Sequence, residues 1–198
     1  LQTPIFVMTD LDIGMNQRLC DPFVWDDAKE YDRGKVMSAA ELESGKSFGR
    51  YRDVDGDGIP WRTLPGTHPS KGAFFTRGTT RNPQAQYSEA GPDYLYNMER
   101  LLRKFDTAAE LVPPPVLRPA AEKTPLGVIY YGSTTPAMRE ALDVLERNGV
   151  HVDALRLCAF PFPASVRRFL IEHSKVFVVE QNRDAQMRSM LINELGAE

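Results

Sequence analysis

Cysteine is scarce in this chain. Cys20 and Cys158 are the two thiols, too few to hold an iron–sulfur cluster or a structural zinc by themselves. Their separation fits two reduced thiols in a cytoplasmic protein better than a structural bridge. Long apolar runs are lacking too: none reaches the roughly 18 residues a membrane span needs, and no secretory signal is visible. Basic residues form no block and the net charge is −3, so the electrostatic footprint of a nucleic-acid binder is missing. No GxGxxG follows a strand pattern, and no GxxxxGK[ST] occurs, which excludes the common nucleotide loops. There is no GxSxG elbow and no internal repeat.

What remains is ordinary globular composition over 198 residues, 42% hydrophobic and 26% charged. That is enough chain for a real core. The chain opens on Leu1-Gln2-Thr3-Pro4 and runs directly into Ile5-Phe6-Val7-Met8, which reads as entry into the middle of a domain and hence as a C-terminal fragment. Residues 5–9 are expected to form a short, fully apolar strand of the kind buried in parallel sheets. Asp10 and Asp12 follow it, where ligands bind in such sheets, although carboxylates that form a turn are the stronger expectation.

Residues 13–37 are irregular. Ser38-Ala-Ala-Glu41 fits a capping box opening a short helix through Glu43. The stretch 50–79 then has no helical period and is rich in glycine and proline, yet carries Trp61, Phe74 and Phe75. Long irregular segments are usually functional or disordered. Its buriable aromatics favour order, and so a loop lying over an active site.

A helix is expected over 92–111, where Tyr94, Leu95, Met98, Leu101, Leu102 and Phe105 recur at three- and four-residue steps. Arg100, Arg103 and Lys104 lie opposite, and simple solvation is the expectation for that face. Pro113-Pro114-Pro115 stops the helix and opens a semi-rigid linker, 113–124. Beyond it, strands are expected at 126–131, 152–158 and 176–179. They alternate with helices opened by Thr135-Pro136, by Pro161-Phe-Pro163, and by Asn182 or Asp184. The pattern β-α-β-α-β-α with short connections gives an α/β fold of three layers around a parallel sheet.

Three groups of residues could carry chemistry. Asp53-Val-Asp55-Gly-Asp57-Gly58 matches the first half of a calcium loop, but the twelfth position is Leu64 rather than a glutamate. An acid-rich turn held by side-chain-to-backbone bonds is the alternative. Arg62, Thr63, Thr67 and His68 supply the donors a small dicarboxylate would need. His68 could also move a proton or simply be a structural hydrogen bonder. At the carboxyl ends of the later strands, Gly132, Ser133, Glu180, Gln181 and Asn182 occupy the usual ligand crevice, with helix capping or a partner contact the stronger expectation.

Several of these stretches resemble a known family. Asp10-Leu-Asp-Ile-Gly-Met-Asn16, Asp21-Pro-Phe23, Tyr31-Asp-Arg-Gly-Lys-Val36, the loop 53–79, and Val176-Phe-Val-Val-Glu-Gln-Asn-Arg183 together are similar to the alpha subunit of 2-oxoacid:ferredoxin oxidoreductases, nearest the 2-oxoglutarate type. The resemblance implies a thiamine diphosphate enzyme that decarboxylates a 2-oxoacid oxidatively, passes electrons to ferredoxin and forms an acyl-CoA, succinyl-CoA in this case. It also implies the organisation of the chain. Residues 1–16 would be the end of a thiamine pyrimidine-binding domain, 17–112 a connecting region, 113–124 the linker, and 125–198 a transketolase C-terminal-like domain. Thiamine diphosphate, Mg2+ and the iron–sulfur cluster would be bound largely outside this chain, on a beta subunit or elsewhere. No catalytic residue carries over, and the fragment alone would be inactive. The other readings are a calcium-stabilised interaction module that is not an enzyme, and a domain of another transketolase-like dehydrogenase.

Overall fold

The computed structural model describes residues 1–17 and 19–196. The chain divides into two compact units, one made of residues 1–5 and 22–108, the other of 6–21 and 109–198.

The second unit holds the sheet. Its strands are β1 (Val116–Arg118), β2 (Leu126–Tyr131), β3 (Asp153–Leu157) and β4 (Lys175–Val179), in the order β1-β3-β2-β4. The three strands expected from the sequence pair in parallel, with Ile129 beside Leu155 on one side and Val178 on the other. Alternation along the strands sends side chains to opposite faces. Val128, Tyr130 and Ala154 meet Met138 and Leu142 of α4 (Thr135–Arg147) on one face. Ile129, Leu155 and Leu157 meet Val166 and Phe169 of α5 (Ala164–Glu172) and Leu191 of α6 (Gln186–Leu195) on the other. This is the three-layer α/β architecture. Each fully buried aliphatic side chain contributes on the order of 1.5–3 kcal/mol.

Three local expectations are corrected. The proline-rich stretch 113–124 is not wholly a linker, because Val116–Arg118 pairs antiparallel with β3 at the sheet edge, where proline on either side is tolerated. Thr135 lies inside α4 rather than capping it, its hydroxyl turned back to the Gly132 carbonyl at 2.7 Å. Residues 5–9 form no strand: an extended segment becomes one only beside another, and none pairs with it among the described residues. Phe6 and Val7 are 83% and 91% exposed. Asp10 instead caps a single helical turn, α1 (Leu11–Met15), through Ile13 N at 2.8 Å.

The first unit is mostly irregular chain held against one long helix. The Ser38 capping box forms as expected at α2 (Ala39–Glu43). Met37 N donates to Arg62 O and Arg62 N to Lys35 O, at 2.8 and 3.0 Å, which fixes residues 35–37 beside the loop. The helix α3 (Gly91–Leu111) carries the loop on its polar side. Arg100 and Lys104, expected in solvent, are 5% and 8% exposed, while Leu102 and Phe105 of the apolar stripe are 66% and 50% exposed.

The physical reason for this inversion lies in the loop. A chain without ladder or helix has backbone groups that must find partners elsewhere. The helix supplies them: Arg100 Nη1 donates to Gly58 O at 3.0 Å, Thr107 Oγ1 to Asp57 O at 2.7 Å, and Asn97 Nδ2 to Arg81 O at 2.6 Å. Gly58 makes the close approach possible. Its φ is +76°, and a Cβ there would stand 2.3 Å from the Lys104 amide nitrogen.

Candidate functional site

Asp53, Asp55 and Asp57 are organised by cations of the chain itself. Asp53 accepts from the amides of Gly56 and Gly58 at 3.0 Å each, and from Arg103 Nε at 3.2 Å. The Lys35 ammonium stands 2.6 Å from Asp55 and 2.7 Å from Asp57. Burial would raise the Asp57 carboxyl, but Lys35 and the Ile59 amide outweigh it and hold its pKa below the usual range. Among the described residues, no group of three His, Cys, Asp or Glu side chains gathers in the manner of a metal site. The lysine nitrogen stands where a cation bridging Asp55 and Asp57 would have to sit.

Of the four candidate substrate donors, three line one hollow of about 290 Å³, with Lys71, Gly72 and Phe74 among its other lining residues. These are Thr63, Thr67 and His68; Arg62 is not among the lining residues. Their polar atoms are already engaged. Thr63 Oγ1 donates to Gly72 O at 2.6 Å, and Thr67 Oγ1 to Leu64 O at 2.8 Å. His68 Nδ1 accepts from the Ser70 and Lys71 amides at 3.1 and 2.9 Å, and Nε2 faces Glu43. A ring nitrogen that accepts two amide protons carries none, so His68 is the neutral Nε2–H tautomer, donating to Glu43. His68, and after it Lys71, keep the Glu43 carboxyl below its ordinary pKa. Arg62 has capacity to spare: Nη2 donates to Arg33 O at 3.0 Å, while its buried Nε has no partner.

Sequence reasoning passed over the residues around Tyr51. The guanidinium carbons of Arg50, Arg81 and Arg100 lie 5.2, 5.1 and 5.7 Å from its ring centre. Arg100 and Lys104 sat on a helix face that looked solvated, and nothing local in the sequence joins them to Arg50 or Arg81.

At the carboxyl ends of β2 and β4, Glu180 accepts from the amides of Met187 and Arg188 at 2.9 and 3.2 Å, opening α6. Asn182 Oδ1 accepts from Gln186 N at 3.1 Å. Burial works against the Glu180 charge, yet these amides and Asn182 keep its pKa low. Capping is thus the observed use of this crevice. Ser133, in the turn before α4, faces the Asp10 carboxyl and, after the Ile13 amide, lowers its pKa.

No protein-family model matches the sequence, and no curated protein matches it at a significant level. Solved structures do match. The 2-oxoglutarate:ferredoxin oxidoreductase from Magnetococcus marinus, with 2-oxoglutarate, coenzyme A and succinyl-CoA bound, is similar at a TM-score of 0.66 and 21% identity. The match covers 76% of this chain and 26% of that one. The chain has the fold of a 2-oxoglutarate:ferredoxin oxidoreductase segment. It spans about a quarter of the length of the Magnetococcus chain. The alpha chain of a "probable 2-oxoacid ferredoxin oxidoreductase" from Thermoplasma acidophilum matches at 26% identity over 42% of this chain and 72% of that chain. Its TM-score is 0.26, too low to bear on the fold.

Cys20 and Cys158 are free and exposed. With no group of three His, Cys, Asp or Glu side chains gathered among the described residues, two thiols are too few ligands for an iron–sulfur cluster. No helix of the described residues is long and apolar enough to cross a membrane.

Proposed function

We propose that the chain belongs to the alpha subunit of a cytoplasmic, thiamine diphosphate-dependent 2-oxoacid:ferredoxin oxidoreductase of the 2-oxoglutarate type. The observation that carries this is the likeness in fold over three quarters of the chain. The motifs of the loop 53–79, which is ordered against α3, add to it. Coenzyme A is the acyl acceptor in this reading, and ferredoxin the electron acceptor. The cofactor diphosphate, its Mg2+ and the cluster are assigned to the beta subunit or to other polypeptide, as the resemblance implies.

Within that assembly the domain organisation expected from the sequence is part of the proposal, with Val116–Arg118 moved from the linker to the C-terminal sheet. So does a role for the loop, in which Arg62 is the residue with free donors for a substrate carboxylate. Thr63, Thr67 and His68 shape the wall beside it. The exposed stripe of α3, Leu95, Leu102 and Phe105, is the surface a neighbouring domain or subunit would cover, because apolar patches of this kind mark protein contacts.

The test is reconstitution. The chain is co-expressed with a beta subunit and the rest of its own alpha subunit, and the complex is identified by native mass spectrometry. Reduction of ferredoxin or viologen is then followed with 2-oxoglutarate and coenzyme A. Turnover that depends on both substrates is expected, and Arg62→Ala should lower kcat/KM at least tenfold, in line with the loss of about 1.5–3 kcal/mol for a charged hydrogen bond. A pure complex inactive with every 2-oxoacid offered overturns the proposal.

A further inference from the structure

One part of the first unit gathers cations around Tyr51 that have no ion pair among the described residues. Arg100 and Lys104 are 5% and 8% exposed, one turn apart on α3. Arg50 and Arg81 are half-buried and share the Tyr51 ring with Arg100. Arg50 also stands over Phe74, 5.5 Å from the ring centre. Among the described residues none of these four cations is in an ion pair, although Lys35, Lys71 and Arg103 of the same unit are.

The partners they do have are neutral. Arg100 donates to the Gly58 carbonyl, and Arg81 to the Gly78 carbonyl at 2.8 Å and the Tyr51 hydroxyl at 3.0 Å. Arg100 and Arg81 each keep a buried Nε with no acceptor. No hydrogen bond reaches Lys104 Nζ from any described residue. Asp53 is already engaged by Arg103 and two backbone amides. Removing one charge from water costs several kcal/mol unless a counter-charge replaces the lost hydration. Packing four together adds their mutual repulsion.

We propose that Arg50, Arg81, Arg100 and Lys104 form a binding site for a small oxyanion carrying at least two negative charges, a phosphoryl group or a dicarboxylate. Arg50, half-buried and without a hydrogen bond among the described residues, is its entrance; Arg100 and Lys104 form its floor. The guanidinium groups present paired donors to the anion's oxygens, and the lysine adds a point charge. Burial first, then Arg100 and Arg50, depress the Lys104 pKa, as expected of a cation waiting for an anion. The site does not rest on the activity proposed above.

The experiment is a thermal melt of the full chain at fixed ionic strength, titrated with pyrophosphate in one arm and succinate in the other. At least one anion should raise the midpoint by several degrees in a saturable manner, and the stronger arm identifies the ligand class. Arg50→Gln should weaken that response at least tenfold in apparent affinity. Lys104→Met should lose the response while melting above the wild type without anion, because an ammonium repelled by Arg100 and Arg50 has been removed. A purely structural lysine would give a lower midpoint instead. If Lys104→Met does not fold, Arg50→Gln decides alone, since its side chain reaches solvent. No saturable shift in either arm, or an equal shift in Arg50→Gln, overturns the proposal.

Discussion

His173 donates from Nε2 to Asp153 Oδ2 at 2.9 Å, while its Nδ1 stands 2.7 Å from the Phe169 carbonyl. Both ring nitrogens face acceptors, the arrangement that an imidazolium satisfies and a neutral ring does not. Burial opposes the charge, but the Phe169 carbonyl and the Asp153 carboxylate outweigh it, so the ring's pKa is raised. A raised pKa in the folded state contributes stability that is full below the unfolded value of about 6.5. That contribution disappears as pH rises through the folded value. Urea midpoints between pH 5.5 and 8.5 should therefore fall with rising pH over this interval, and Asp153→Asn should flatten the fall. A wild-type midpoint that rises across this interval contradicts the assignment.

Lys35 predicts the behaviour of the acidic turn. Melting midpoints with calcium and with chelator should coincide, because the Lys35 ammonium already bridges Asp55 and Asp57. Lys35→Met should cost about 1 kcal/mol, the scale of a partly exposed pair, and should leave the carboxylates free to respond weakly to calcium. A calcium-dependent midpoint in the wild type would show that the turn opens to the metal.

Gly58 is the most sensitive position in the loop. Gly58→Ala demands a left-handed φ from a residue with a side chain and drives its Cβ into the backbone of α3 at Lys104 and Arg100. The loss should exceed about 3 kcal/mol, read by chemical denaturation. Gly56→Ala has a similar φ but meets nothing within 4 Å, and should cost much less.

His68 should act through structure rather than through its proton. In the reconstituted complex, His68→Asn is expected to leave the pH dependence of kcat unmoved, because the ring already accepts at Nδ1 and donates at Nε2. His68→Ala should destabilise the chain by about 0.5–1.5 kcal/mol, the scale of ordinary hydrogen bonds at exposed amides. A pH profile displaced by His68→Asn would restore it as a proton carrier.

The stripe on α3 separates assembly from folding. Leu102→Glu and Phe105→Glu alter exposed side chains, so the chain's own stability should change by no more than about 0.5 kcal/mol. Association with the rest of the complex should weaken at least tenfold, measured by titration with the remaining subunits. Undiminished association would remove this face from the interface.

How far the sequence speaks depends on which atoms satisfy which. In the second unit, Val128, Ile129 and Leu155 announce their faces because apolar burial dominates there and alternation survives into the fold. Ser38 and Glu41 were equally legible, being three residues apart. Lys35 and Asp57, or Arg100 and Gly58, meet across long stretches of chain with no period to join them. The α3 stripe misled for a physical reason: hydrophobic periodicity assumes the core claims the apolar side, whereas an irregular loop rich in unpaired carbonyls claimed the donors. Val116–Arg118 was hidden by the prolines around it, and residues 5–9 had the composition of a strand without a neighbour to make them one. Of the candidate site, Arg62, Thr63, Thr67 and His68 were found as a group, but their internal bonding was beyond reach.

The seam between the loop and α3 carries the donor–carbonyl pairs Arg100–Gly58, Thr107–Asp57 and Asn97–Arg81. Exposing such a surface lowers the heat capacity of unfolding, where apolar surface would raise it. The first unit should accordingly show a flatter stability curve than the sheet unit, and less loss on cooling towards 0 °C.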